Sequence, residues 1–425
     1  CCLLDNIKYK NKAHYFSKLV FIAFYMSFPS IVVEFMSFST YCIEVAFGMT
    51  ILLCSVWLFH RYLENKEKSF IIFNIFLVFF ALGIYQAMAT VYITLISIYF
   101  FVKIYEKKRI EKKEFVRIAK DIFLSFSVFL ISVIVFFIVY KIATSMHYVQ
   151  ASIDYINDFS GWDFKQGIIT SLKNSIATLF ETVFHTDIIG LVYFRWYILT
   201  FIVDALLVLF FNRSKSILEK ILLIILLSEI LLSGFYMWIV LASTALPLRA
   251  WLAVLFVAGF MYYLLAEILI DKFPKTFILL GGFAIMIIGI RQIQTINELF
   301  VNDHKRMEKD FAFAEEIYEN IASKVTDIEN KTIVFIGTRD LANDITIIKN
   351  PTTDLYFGGD ALGYSLWRRA QEPHRMKGLF AYLGYDLEFQ ACTQEEYELA
   401  KNTMEIFPLD NSILESNNIV YVRLE

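Results

Sequence analysis

Nine long apolar runs dominate the first 293 residues, at about 16–33, 41–59, 69–83, 87–105, 121–142, 191–211, 219–240, 249–270 and 276–293. A bilayer core of about 30 Å takes roughly 20 helical residues. The runs therefore predict about nine membrane spans, the third of them short and the first kinked at Pro29. None shows the dyad alternation of a barrel strand, so helices are the expected solution. After residue 293 the pattern changes. A polar helix, "NELFVNDHKRMEKDFAFAEEIYENIASKV", leads to "KTIVFIGT", a short apolar run closed by Gly337 that predicts a buried strand. A further strand candidate, "DLYFGG", a helix, "TQEEYELAKNTMEIF", and a final strand, "NIVYVRL", follow. The expected architecture is a polytopic α-helical membrane domain over 1–293 and a small α/β domain over 294–425.

Composition agrees with this pattern. At 58% hydrophobic and 17% aromatic residues with a mean hydropathy of +0.57, the chain is too apolar for a soluble protein of 425 residues. Nothing in it suggests nucleic-acid binding. The net charge of -3 matters less than where the charges fall. If residue 1 lies inside, the inner stretches carry twenty Lys and Arg, eight of them between Lys103 and Lys120. The outer loops before the tail carry only Lys165 and Lys173, or four with the boundary residues Lys141 and Arg249. This asymmetry places both large hydrophilic regions, about 143–190 and 294–425, on the outer side of the membrane. In the first of them, Ile168, Ile169, Leu172, Ile176, Leu179, Phe180 and Val183 share one helical face, the pattern of a helix lying in the membrane interface or of one packed on the bundle.

The five cysteines form neither a disulfide framework nor a metal spacing, and two of them lie inside apolar runs. The "FIGT" turn lacks the glycine spacing of a nucleotide loop. The opening "CCLLDNIKYK" has no Met and no signal pattern, and reads as the tail of an earlier apolar segment, so an N-terminal portion is expected upstream.

Polar residues at the outer ends of spans are costly unless satisfied, which makes each a site candidate. They are Glu34, Glu44, Tyr85, Gln86, His185, Asp187, Arg195, Arg249 after "ALPL", and Asp303, His304 and Arg306. Each also has a plainer reading. Tyr85 fits an aromatic belt and Gln86 a helix cap, Arg249 can snorkel to headgroups, and His185 has no second His at i+4 to share a metal. Asp204 and Glu229 sit deeper, where interhelical hydrogen bonding or protonation is expected. An enzyme acting on a lipid-linked sugar phosphate needs an Arg for the phosphate, a carboxylate base, and side chains such as Gln and Tyr for sugar hydroxyls. A transporter of such lipids uses the same residue types.

In order and spacing, "FPSIVVEFMSFST", "ALGIYQAMATVYITL", "LPLRAWLAVLF" and "NELFVNDHKRMEKDFAFAEEIYENI" before "KTIVFIG" resemble the serotype-converting glucosyltransferase family, polytopic GT-C-type enzymes, over about residues 25–340. The resemblance implies transfer of a hexosyl group from a polyprenyl-phosphate sugar to a cell-surface polysaccharide outside the membrane, with inversion. Carried over, the "YQ" pair is Tyr85 and Gln86, the "PxR" arginine is Arg249, and the "ND..R" element is Asn302, Asp303 and Arg306. Arg249 is the first candidate for the phosphate, with Arg306 or Arg195 next. Family members carry an acidic catalytic motif in an outer loop after the first span, which has no counterpart here. The base is therefore expected upstream, with Glu34 and Asp187 as auxiliary carboxylates. No acidic pair demands a cation, so no cofactor is expected, although GT-C enzymes differ in metal dependence. The competing readings are a transporter or flippase of lipid-linked sugars or polysaccharide, and a structural or sensor protein that binds a wall polymer. The large tail and the lack of paired broken helices count against transport.

Overall fold

The computed structural model describes residues 12–26, 31–32, 39–107, 109–146, 160–162, 165, 167–185, 194–211, 215–243, 248–272, 274–339, 341 and 365–425. Apolar runs that contain almost no turn residues fold as helices: α1 (Lys12–Tyr25), α2 (Ser39–Asn65), α3 (Lys68–Ile84), α4 (Met88–Tyr105), α5 (Lys112–Ser145), α6 (Ile168–His185), α7 (Phe194–Phe211), α8 (Ile217–Ser233), the short α9 (Tyr236–Val240), α10 (Leu252–Lys272) and α11 (Pro274–Lys324). Among the described residues, five helical stretches are long and apolar enough to cross a membrane: Cys42–Asn65, Met88–Tyr105, Lys112–Ser145, Leu252–Ile270 and Leu280–Lys324. The expected count of nine is thus corrected to five. Lys68–Ile84 is apolar but has only 17 residues, and Tyr15–Tyr25 and Ile198–Phe210 are the described parts of further apolar helices. α8 is also short, at 17 residues, and carries Glu219, Lys220 and Glu229.

Burial separates the helices that are apolar all round into two kinds. α4 and α10 are the inner pair, packed on each other; α4 also meets α2 and α8, and α10 meets α1 and α7. Gly259 allows the approach of α10 to α1, because a Cβ there would stand 2.9 Å from the Phe21 carbonyl oxygen. α5 is the opposite case. It exposes Phe123, Phe126, Ile131, Ile134, Phe137 and Ile138 in one continuous apolar surface, which water would penalise and lipid would not. Polar contacts link the helices at several points among the described residues. Asn74 donates to the Ser55 carbonyl at 2.6 Å, Thr94 and Ser233 pair their hydroxyls at 2.6 Å, and Gln292 donates to the Ala23 carbonyl at 3.0 Å.

The basic connection between α4 and α5 is held by buried charges. Lys215 donates to the carbonyls of Ile104 and Lys107 at the C-terminal end of α4, where a cation complements the helix dipole. Glu219 closes a capping box with Ser216 at the start of α8 and also accepts the backbone N–H of Ile110.

The chain divides into two units, Cys1–Ile296 and Asn297–Glu425. The second is built on a four-stranded sheet of β1 (Thr332–Ile336), β2 (Glu388–Gln390), β3 (Ile413–Ser416) and β4 (Ile419–Arg423), in the order β2-β1-β4-β3. β1 is parallel to β2 and β4, and β3 is antiparallel to β4. The connections carry α12 (Pro373–Tyr382) and α13 (Gln394–Thr403). One sheet face buries Ile333, Phe335, Val420 and Val422 against Phe313, Ile317 and Ile321 of α11 and Phe380 of α12; the other buries Val334 and Ile336 against Ala400 and Met404. Trp367 sits in the first of these cores, its indole N–H donating to the Asp310 carbonyl at 3.0 Å. The strand candidate "DLYFGG" lies outside the described residues.

Candidate active site

The expected site residues fall in three places. The first is the connection between α3 and α4. Tyr85 leaves the helix with extended backbone (φ -157, ψ 126), while its N–H still donates to the Ala81 carbonyl at 3.1 Å. The carbonyls of Tyr85 and Gln86 accept from Met88 and Ala89, each at 3.0 Å, and so start α4. Ala87 holds the N-cap position with no side-chain cap. Gln86 is therefore exposed at the tip of a tight turn, its amide capping neither helix, and Tyr85 beside it is half-buried. Gly48 of α2 packs on this turn, since a Cβ there would lie 3.2 Å from Met88 and 3.5 Å from Ile84. Because α2 and α3 run antiparallel, exposed Glu44, one turn before Gly48, belongs to the same end of the pair.

The second place is the 3-10 turn Leu248–Trp251, which carries Arg249. Trp251 anchors it. Its buried ring stands edge-on to Trp238 of α9 (centroids 5.1 Å apart, planes at 89°) and to Phe235 (6.1 Å, 84°). Trp238 is in turn tied to α6 by two reciprocal hydrogen bonds: its indole N–H donates to the Ser175 carbonyl at 3.1 Å, and the Ser175 hydroxyl donates to the Trp238 carbonyl at 3.2 Å. The strand of chain before α6 docks on the same short helix. Trp162 donates to the Val240 carbonyl at 2.9 Å, and the Gly161 N–H to the Leu241 carbonyl at 3.0 Å. Only glycine fits at 161, because a Cβ would stand 2.0 Å from the Ala242 carbonyl oxygen.

α6 therefore packs through its serine stripe, with Ser171 and Ser175 buried, while Ile169, Ile176 and Phe180 of its apolar face are exposed. Arg195 lies in the first turn of α7; its side chain and that of Arg249 are not among the described ones, and Glu34 and Asp187 lie outside the described residues altogether.

The third place is in the second unit. Arg306 is buried and donates from Nη2 to Asp303 Oδ1 at 2.7 Å, one turn away on α11. His304 points to Glu308, at 3.2 Å. Of the deeper carboxylates, Glu229 accepts the Tyr236 hydroxyl. Neither oxygen of buried Asp204 finds a hydrogen-bond partner among the described residues. Among the described residues no group of three or more His, Cys, Asp or Glu is placed to hold a metal.

The model of the family described as glucosyl transferase GtrII matches residues 2–287. The chain belongs to this family. It is accordingly an enzyme, a hexosyltransferase of the GT-C type, and a multi-pass membrane protein. No curated protein and no solved structure matches the chain.

Membership weighs on the three places differently. The matched stretch of the glucosyltransferase contains the Tyr85–Gln86 turn, Arg195 and the Arg249 turn, and it ends before Asp303 and Arg306. The sequence pattern does not single out Trp238, Trp251, Ser175 or Gly161. The readable signal was the pair Ser171 and Ser175, spaced four residues apart on α6 beside the apolar face, where small hydroxyl residues let two helices come close.

Proposed function

We propose that this glucosyltransferase moves a hexosyl group, glucose or a close relative, from a polyprenyl-phosphate sugar to a cell-surface polysaccharide at the outer face of a bacterial cell membrane. The observation that carries the reading is the match of residues 2–287 to a glucosyl transferase family, over a bundle whose α5 surface only lipid would cover. The excess of Lys and Arg on alternate loops, counted with the shorter apolar helices α1, α3, α7 and α8 crossing beside the five long ones, supports an outward site, with residues 294–425 outside as well.

In the proposed reaction an acceptor hydroxyl attacks the anomeric carbon from the face opposite the phosphate. The new C–O bond forms as the bond from carbon to phosphate oxygen breaks, and the hydroxyl proton passes to a carboxylate. Glu34 and Asp187 are the auxiliary carboxylates within the chain. The polyprenyl phosphate leaves as an anion, and an arginine fork is the natural partner for it. Arg249 is assigned this role, with Arg195 next. Gln86 and Tyr85 are assigned to the sugar hydroxyls or the phosphate, a role supported by the exposure of the Gln86 amide. The Arg306–Asp303 pair is assigned a supporting part, because a buried guanidinium already bonded to a carboxylate offers a phosphate little net charge.

Membranes containing the protein, given polyprenyl-phosphate glucose labelled in the sugar, test the reading. Label is expected to move to added cell-surface polysaccharide with inverted anomeric configuration, and to stay on the lipid with Arg249→Ala. Transfer at the wild-type rate by a folded Arg249→Ala protein removes Arg249 from the site.

A further inference from the structure

Four observations converge on one side chain that the proposed chemistry does not use. Trp238 is 3% exposed, although α9, the helix that carries it, has only five residues. Its ring meets Trp251 edge-on at 5.1 Å, and Trp251 is two residues from Arg249 in the same 3-10 turn. Its indole N–H and its carbonyl both bond Ser175 of α6. Its helix also receives the preceding loop, through Trp162 to Val240 and through Gly161, where no larger residue fits. A five-residue helix cannot hold itself by propensity, so its position is set by these contacts. The Arg249 turn, seated on it by Trp251, takes its position from the same source.

We propose that Trp238 is a positioning residue that couples helix α6 to the 3-10 turn carrying Arg249, so that the seating of α6 sets the position of that turn in the donor site. The inference rests on the assignment of Arg249 to the donor phosphate. α6 exposes Ile169, Ile176 and Phe180 beside its serine stripe, so the helix reads the membrane surface on one flank and holds Trp238 on the next. A shift of α6 moves the Ser175 carbonyl, and the indole that donates to it moves the Trp251 edge. Misplacing a binding group by about 1 Å weakens its hold on a charge that is bound in one geometry.

The test is donor titration with polyprenyl-phosphate glucose on full-length protein, comparing Ser175→Ala, Ser175→Thr, Trp238→Phe and Arg249→Ala, with thermal melting of each. Ser175→Ala removes one hydroxyl and leaves both rings; Trp238→Phe keeps an aromatic edge and loses the N–H. Both are expected to raise the donor KM about tenfold, the worth of a hydrogen bond or two, with kcat and the KM for the acceptor within about twofold of wild type. Ser175→Thr, which keeps the hydroxyl, is expected to restore the donor KM. An unchanged donor KM in Ser175→Ala and Trp238→Phe overturns the coupling, whether the variants melt as wild type or lose activity only in proportion to folded protein. If instead Arg249→Ala binds the donor as wild type does, the phosphate assignment falls and the coupling falls with it. Loss of donor in Arg249→Ala alone removes the coupling and leaves the assignment standing.

Discussion

Gln86 shows what a single polar side chain between apolar helices can be asked to do. A capping role requires its amide to reach a terminal backbone group, and Tyr85 and Ala87 occupy the two cap positions without it. What remains is an exposed amide at a helix-pair end that Gly48 and Glu44 share. Gln86→Leu is therefore expected to leave thermal melting unchanged while lowering transfer about tenfold or more, as loss of a hydrogen bond to a sugar or phosphate does. A lowered melting temperature with activity retained returns Gln86 to a structural part. Asp303 gives the contrasting case. Removing its charge takes away the carboxylate to which buried Arg306 donates, and Asp303→Asn is expected to destabilise the second unit by about 2 kcal/mol, read as a lowered melting transition. Wild-type melting of that variant contradicts the account of the pair. The sequence marked these residues by depth and type; their partners were beyond it, since pairing depends on rotamers and helix phase.

Among the elements, those with strong local signals were legible and those fixed by tertiary contact were not. "KTIVFIGT" gives β1, closed by Gly337 at φ +80, and "TQEEYELAKNTMEIF" gives α13, begun by the Thr393 and Glu396 capping box. "NIVYVRL" gives β4, whereas the three residues of β2 are too few to show a pattern. β3 was readable in principle, because Asn417 and Asn418 both take positive φ in the two-residue turn that joins it to β4. In α6 the serines make the protein contact while Ile169, Ile176 and Phe180 stay exposed, a division the apolar pattern alone does not show.

The α13 cap carries a pH prediction. Hydrogen bonding to the Thr393 backbone, and then to the Thr393 and Tyr421 hydroxyls, holds the Glu396 carboxyl below the ordinary 4.5, against a smaller upward push from burial. A group with a depressed folded-state value stabilises at pH above the unfolded value, and that share fades as pH falls through the folded one. The melting difference between wild type and Glu396→Gln is thus expected at pH 7 and to shrink below about pH 4.5; a difference independent of pH contradicts it. Gly161→Ala belongs to the same scale. Its Cβ would collide with the Ala242 carbonyl, so the 160–162 segment is expected to leave α9, with faster proteolysis of the chain before α6 than in wild type.

For the whole molecule, the hydrophobic pattern announced a membrane bundle followed by an α/β unit, and the described residues divide at Ile296. The pattern shows nine apolar runs where five described stretches reach spanning length, because hydropathy registers apolar length without regard to where a helix stops, and α3 and α8 stop at 17 residues. Charge asymmetry predicts sidedness: in intact cells a cysteine placed at Lys165 is expected to react with an impermeant maleimide and one at Lys66 is not, and the reverse result inverts the topology. The catalytic reading also belongs to this scale, since donor lipid, acceptor polymer and membrane face must all agree. Composition analysis of the surface polysaccharide from cells with and without the gene tests it most directly. The account predicts that a hexosyl side branch present with the gene is missing without it. Identical decoration in both would contradict it.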